Sequence, residues 1–206
     1  MKLVNEMSDS DIEKRLAAST NDPYIDPNSE ILVSGQPRPA AVLIPLLRNN
    51  NSWEILYIRR SSAEGDHHSG QVAFPGGRME DRDANPEETA LREAQEEIAL
   101  ERDSVRILGS LEDMVTISNY QVTPIVGVIG WPLDLKPAPS EVKRIFTIPL
   151  EWLAKPENYE LRDHDIPGSS GNGTHPVYYF KYFDNELLWG VSARITVSLM
   201  QALGLS

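Results

Sequence analysis

Strands and helices layered around one sheet, an α/β (α+β) fold, follow from three features of the chain. Short β-rich runs bounded by turn residues are interspersed with segments of helical period. The apolar run over residues 40–47 (AAVLIPLL) reads as a buried central strand. The length of 206 residues, 40% of them hydrophobic and 24% charged, suits one domain with a full core and would cramp two.

The first helix is expected over residues 9–18 (DSDIEKRLAA), capped by Asp9 or Ser10, with Ile12, Leu16 and Ala17 on one side. Residues 19–39 hold four prolines and several Asn, Asp and Ser, and read as an extended connector on the surface. Residues 1–39 are therefore expected to form a helix and arm packed on a domain of residues 40–206. Within that domain, residues 40–47 and 53–60 form a hairpin about Asn49-Asn50-Asn51, the second strand alternating in character. A polar loop over residues 61–69 contains His67 and His68, and Val72-Ala73-Phe74 is a short strand leading into a Pro75-Gly76-Gly77 turn. Residues 105–111 and 120–129 are strands, Pro124 in the second suggesting an edge or a bulge. A proline-containing loop over residues 131–140 and the segment 141–146 precede a short helix at residues 149–153. Residues 162–176 are rich in Gly, Ser and Asn and read as a mobile loop. Residues 177–183 then pair across Asp184-Asn185 with Leu187-Leu188-Trp189. Ile195, Leu199 and Ala202 repeat at helical spacing within a last helix over residues 191–203. There are no internal repeats.

The formal net charge of −12 argues against nucleic acid or an anionic membrane as a nonspecific partner. An anionic substrate would then need local compensation from metal ions and a few Arg or Lys. The absence of cysteine excludes disulfides, thiol catalysis and Cys-based zinc sites. Residues 1–6 lack the apolar core of a signal peptide, and the longest apolar run is far too short to span a bilayer. A soluble, cytoplasmic protein is expected.

The most informative helix begins at Asn85, a good N-cap, with Pro86 at the first helical position and Glu87 and Glu88 at the positive end of the dipole. At about 100° per residue, Ala90, Leu91, Ala94 and Ile98 share the arc that faces a core. Glu93, Glu96 and Glu97 share a neighbouring arc. Arg92 is the only cation between Pro86 and Leu100 and projects to the other side, so Glu93 and Glu97 are expected to repel without a helix partner. A solvated acidic face ordinarily mixes Lys and Arg among its acids. Three converging carboxylates instead offer hard oxygen ligands to Mg²⁺ or Mn²⁺.

The run Arg92-Glu93-Ala94-Gln95-Glu96-Glu97, preceded at loop distance by Gly76-Gly77, resembles the signature of the Nudix hydrolase superfamily. Further segments are similar to its coenzyme A pyrophosphatase branch: residues 40–45 (AAVLIP), 70–77 (GQVAFPGG), 89–94 (TALREA), 119–124 (NYQVTP), 140–142 (SEV) and Trp189-Gly190. The resemblance implies a Nudix-type α/β/α sandwich around a mixed β-sheet. It also implies divalent-metal-dependent hydrolysis of a diphosphate linkage in a small nucleotide conjugate, by a monomer or homodimer.

Three departures stand out. Ala99 replaces the glycine that closes the helix, implying a modest local change. The loop between Gly77 and Arg92 is one residue longer, with Ala84 where an acid usually stands and Asp83, Glu80 or Asp81 available instead. The segment after Arg60-Ser61 is also one residue longer, with Asp66 in place of an Arg of the branch pattern.

By the resemblance, Glu93 and Glu97 are the leading metal ligands, with Glu96 third and the Gly77 carbonyl fourth. Arg92 either orients the glutamates through an ion pair or contacts phosphate directly. Glu96, Glu97 and Glu141 are the possible bases, Glu141 being either a loop acid over the site or an ordinary surface residue. Substrate contacts fall to Gly76, Gly77, Arg59 and Arg60, with His67 and His68 as further replacements for the absent Arg. A sensor that binds a nucleotide without turnover would ordinarily lack one of the helix glutamates. Trp189-Gly190 reads as packing at a helix start.

Overall fold

A computed structural model of the chain describes residues 4–19, 36–61, 70–165 and 174–205. The sheet is built about β1 (Arg38–Asn49), whose apolar run is buried from Leu43 to Leu47, Pro45 included. Asn50 and Asn51, with φ of 47° and 64°, form a two-residue turn to β2 (Ser52–Arg60), the left-handed pair that matches strand twist. β2 does not alternate. Trp53 through Ile58 are all buried, because helices cover both faces of the sheet.

After β3 (Val72–Ala73) and β4 (Gly76–Arg78) come α2 (Pro86–Ile98), β5 (Val105–Ser110), β6 (Met114–Val115), β7 (Tyr120–Ile129) and β8 (Val142–Pro149). The N-terminal helix, α1, is Asp9–Ser19; α3 is Leu150–Leu153 and α4 is Gly190–Ala202. The sheet runs β3-β2-β1-β7-β5, with β4 beside β1, β6 beside β7 and β8 beside β2. It is mixed: β1 and β7 are parallel and the other pairs antiparallel. On one face α2 packs Ala90, Ala94 and Ile98 against Ala41, Leu43, Leu56 and Ile58. The other face packs Ile44, Leu46, Ile55 and Tyr57 with residues of α1 and α4. This is the expected α/β/α sandwich.

Several local expectations are corrected. The cap of α1 is Ser8: its hydroxyl accepts from Asp11 N–H, and Asp11 reaches back to the Ser8 backbone and hydroxyl. Gly76-Gly77 forms a strand rather than a turn, pairing Gly76 with Val42 and Gly77 with Ala41. Pro124 lies inside the sheet opposite Val42, and the break between β5 and β6 falls on its other side. The aromatic strand β10 (Thr174–Phe180) takes as its main partner β9 (Tyr159–Asp165), a strand that the polar sequence YELRDHD conceals. Only isolated bridges, Tyr179 with Trp189 and Phe183 with Glu186, remain of the expected pairing across Asp184-Asn185.

The N-terminal segment is part of the core. Met7, Ile12 and Leu16 are buried, and the Met7 carbonyl accepts from the Trp53 indole at 2.9 Å. The connector over residues 20–35, the loop 62–69 with Asp66, His67 and His68, and residues 166–173 lie outside the described residues. Among the described residues no helix is long and apolar enough to cross a membrane.

Candidate active site

The acidic helix forms as its sequence dictates. The Asn85 side chain accepts from Glu88 N–H at 2.9 Å and Pro86 opens the first turn. At the other end Ala99 adopts the left-handed conformation, φ 55° and ψ 34°, that glycine would take without strain. Its N–H reaches the Gln95 carbonyl and Leu100 N–H reaches that of Ala94, so the departure from glycine leaves the helix end intact. The last carbonyls are satisfied from the loop that follows β7: Ala138 N–H donates to Glu97 O at 2.8 Å and Lys136 N–H to Ile98 O at 3.0 Å. The same loop turns through a bond from Glu141 N–H to Ala138 O, and Glu141 O accepts from Ser61 N–H. Glu141 is thereby set at the rim, exposed.

The two glycines of β4 sit tight against different neighbours, Gly76 against β1 and Gly77 against α2. A Cβ on Gly76 would lie 2.5 Å from the Ala41 carbonyl oxygen, and one on Gly77 would lie 2.5 Å from the Glu93 carboxylate. Backbone therefore requires glycine at Gly76, whereas at Gly77 only the movable end of the Glu93 side chain stands in the way. Gly76 N–H donates to Glu97 Oε2 at 3.0 Å. Glu97 is 2% exposed, and burial pushes its carboxyl up to about 8, assisted by the Glu93 and Glu141 charges and opposed by Gly76 N–H and Arg60. Burial also raises Glu93, against the opposing pull of Arg92.

Arg92 is 5% exposed and every group of its guanidinium is engaged. Nε and Nη2 form a fork on Asp83, both bonds at 2.9 Å, and Nη2 also donates to Arg78 O. Nη1 donates to Glu93 Oε1 at 2.8 Å and Glu96 Oε2 at 3.1 Å. The fork holds the Asp83 carboxyl well below the usual carboxylate range, with further help from Glu80 N–H and the Thr89 hydroxyl. Among Asp83, Glu80 and Asp81, the acid that meets Arg92 in a fork is Asp83. The expectation that Glu93 lacks a helix partner is overturned, because the long Arg92 side chain folds back along α2 to reach it.

Glu96 departs from the expected cluster. It is 48% exposed and turned to two guanidinium groups, Arg92 and Arg82, the latter at 3.1 Å. Among the described residues no three acidic or histidine side chains converge closely enough to hold a metal as they stand. Glu93 and Glu97 nevertheless lie on the β4 side of α2 against a glycine pair that leaves no room for a Cβ. Two largely buried carboxylates, one raising the other's proton affinity, form a hard-oxygen donor set that suits a divalent cation.

The two arginines ending β2 part company. Arg60 Nη1 stands 4.0 Å from Glu97 Oε1. Arg59 goes to the opposite face, where it donates to Glu186 at 3.1 Å beside Arg144. The structure does not bring Arg59 to the glutamates, since successive side chains of a strand leave on opposite sides. Arg82 and Thr89 are contacts that sequence reasoning missed. The spacing Asp83 to Thr89 carried a signal, an acid and a hydroxyl flanking a helix start; Arg82 carried none. Trp189 packs against Tyr179, stacked at 5.4 Å, immediately before α4, as expected.

A model of the NUDIX domain matches residues 37–166. An uncharacterized Nudix hydrolase, NudL, of Photorhabdus laumondii is 37% identical over 169 residues, 82% of this chain and 87% of its own. The NudL of Pectobacterium atrosepticum is 39% identical over 161 residues, 78% of this chain and 80% of its own. In fold, a MutT/nudix family protein of Enterococcus faecalis superposes with a TM-score of 0.51 at 15% identity, covering 93% of this chain and 74% of its own. The structural likeness bears on the fold alone. The domain match, which spans the helix of the glutamates, and the two NudL likenesses establish that the chain belongs to the Nudix hydrolase family.

Proposed function

We propose that this enzyme, a Nudix pyrophosphohydrolase, cleaves a diphosphate linkage in a nucleotide conjugate, with coenzyme A or its derivatives as the first-choice substrate and 3′,5′-ADP and a phosphopantetheine product released. The observation that carries the chemistry is the placement of Glu93 and Glu97 against Gly76-Gly77, with Arg92 anchored on Asp83. The choice of coenzyme A rests on the sequence segments shared with that branch, against which stands Asp66.

In hydrolysis a water oxygen bonds to one phosphorus, the bridging P–O bond breaks, and a water proton passes to a base. Glu93, Glu97 and the Gly77 carbonyl, with Glu96 as a further ligand, would hold Mg²⁺ or Mn²⁺, which when bound would neutralise the diphosphate charge. Arg92 acts as an organiser: its guanidinium has no free face for phosphate while it holds Asp83, Glu93 and Glu96. Arg60, 34% exposed beside Glu97, is the cation of β2 placed to meet an anionic substrate, with Gly76 and Gly77 lining the approach. Glu97 is enclosed and Glu96 is held by two arginines, so Glu141, exposed at the rim, is the carboxylate best placed to take the water proton.

The test is a substrate panel of coenzyme A, acyl-CoAs, ADP-ribose, NADH and diadenosine polyphosphates with Mg²⁺ or Mn²⁺. Turnover of ADP-ribose or NADH without coenzyme A would remove the substrate assignment and keep the class. Tight binding of one compound with no turnover of any would favour a sensor. Glu141→Gln is expected to lower kcat by about 10²-fold or more without changing Mn²⁺ affinity, and an unchanged kcat returns the base to Glu96 or Glu97.

A further inference from the structure

The lengthened loop between Gly77 and Arg92 contributes one side chain that the chemistry above does not use. Arg82 is 61% exposed, yet it is tethered at both ends of its guanidinium: Nε lies 2.8 Å from Glu80 Oε2 and Nη2 donates to Glu96 Oε1 at 3.1 Å. Arg92 holds the second Glu96 oxygen. Each oxygen of that carboxylate is thus committed to a different arginine, and the pair draws Glu96 out of convergence with Glu93 and Glu97. Arg92 is fixed by the buried fork on Asp83 and keeps its position whatever Glu96 does. Arg82 is held only by exposed pairs, which are weak and easily exchanged.

We infer that Arg82 is a positioning residue, a latch that retains Glu96 in the metal-free enzyme and gives it up when a divalent cation enters. This rests on the reading of the glutamates as the metal site. Arg82 holds Glu96 Oε1 and Arg92 holds Oε2, so a cation that draws Glu96 towards Glu93 and Glu97 competes with Arg82 for it. The latch lowers divalent-ion affinity by the free energy of that pair. Its salt dependence follows, because exposed pairs are screened: the difference between the wild type and a variant without Arg82 shrinks as ionic strength rises.

Mn²⁺ binding, followed by electron paramagnetic resonance of free Mn²⁺, tests the latch without recourse to turnover. Arg82→Ala is expected to tighten Mn²⁺ binding by about two- to fivefold at low salt. Removal of any nearby cation would also favour Mn²⁺ through the general field, so the same substitution is made on Glu96→Gln. There the latch has nothing to hold, and Arg82→Ala is expected to leave Mn²⁺ affinity unchanged. Should Glu96→Gln lose all binding, Arg102→Ala becomes the control, since it removes a cation paired to Glu88 of the same helix without touching Glu96: tightening smaller than that of Arg82→Ala supports the latch, and equal tightening overturns it. Affinity no tighter in Arg82→Ala, or equal tightening in the Glu96→Gln background, overturns it. Wild-type protein that binds no Mn²⁺ at all defeats the metal-site reading itself, an outcome separate from failure of the latch.

Discussion

Glu97 links stability to pH in a direction opposite to that of most carboxylates. A glutamate in the unfolded chain titrates near 4.5, whereas burial in the metal-free fold pushes this one up to about 8. Between those values the folded protein holds a proton that the unfolded chain has lost, so stability falls as pH rises. The contribution is full below about 4.5 and is lost as pH climbs through the folded value, at about 1.4 kcal/mol per pH unit while the two states differ by one proton. From pH 6 to pH 8 the loss amounts to roughly 2–3 kcal/mol. Glu97→Gln removes the titration while preserving an acceptor for Gly76 N–H. Urea unfolding of chelator-treated wild type and variant across this range is the assay. The wild type should weaken with pH relative to the variant, and the variant should be the more stable at pH 8. Excess Mn²⁺ should restore wild-type stability at pH 8, because an ion that binds only the ionised folded state stabilises it by mass action, and should do little for the variant. A difference between the two proteins that stays constant from pH 6 to pH 8 would refute the reasoning.

The glycine pair gives two contrasting outcomes. Gly76→Ala forces a Cβ into the backbone of Ala41 and Val42 and should cost about 3 kcal/mol of stability, measured by urea unfolding. Gly77→Ala meets only the movable end of Glu93, so it should fold almost normally while binding Mn²⁺ more weakly. Arg92→Lys keeps the charge but loses the fork on buried Asp83, at a cost of about 2 kcal/mol; equal thermal midpoints for variant and wild type would contradict it. Ala99→Gly relieves a left-handed alanine and should stabilise by about 1 kcal/mol; a variant no more stable than the wild type in urea unfolding would contradict it.

The features legible in the sequence are those set by short spacings along the chain. Asn85 and Pro86 begin the helix, the apolar run makes β1 the centre of the sheet, and the order Arg92-Glu93-Glu96-Glu97 makes the family recognisable, because each depends on residues a few positions apart. The pairing of β9 with β10, a two-stranded sheet of their own, was hidden since the polar β9 carries no sustained apolar alternation. Pro124 misled because the rule against proline in a central strand assumes an unbroken partner on each side, and here one partner is interrupted.

Within the site, the sequence determined which acids stand on one arc of one helix, and therefore the kind of chemistry. Where their carboxylates point was decided by contacts from distant segments. Gly76 N–H reaches Glu97 from another strand, Asp83 fixes Arg92 from the loop, and Arg82 turns Glu96 aside. Helix period places a Cβ, but a glutamate has three further torsions, and their setting depends on which donors the fold brings within reach. For the same reason Arg59 and Arg60, neighbours in sequence and equivalent in charge, end on opposite faces of the sheet, one beside Glu186 and the other beside Glu97.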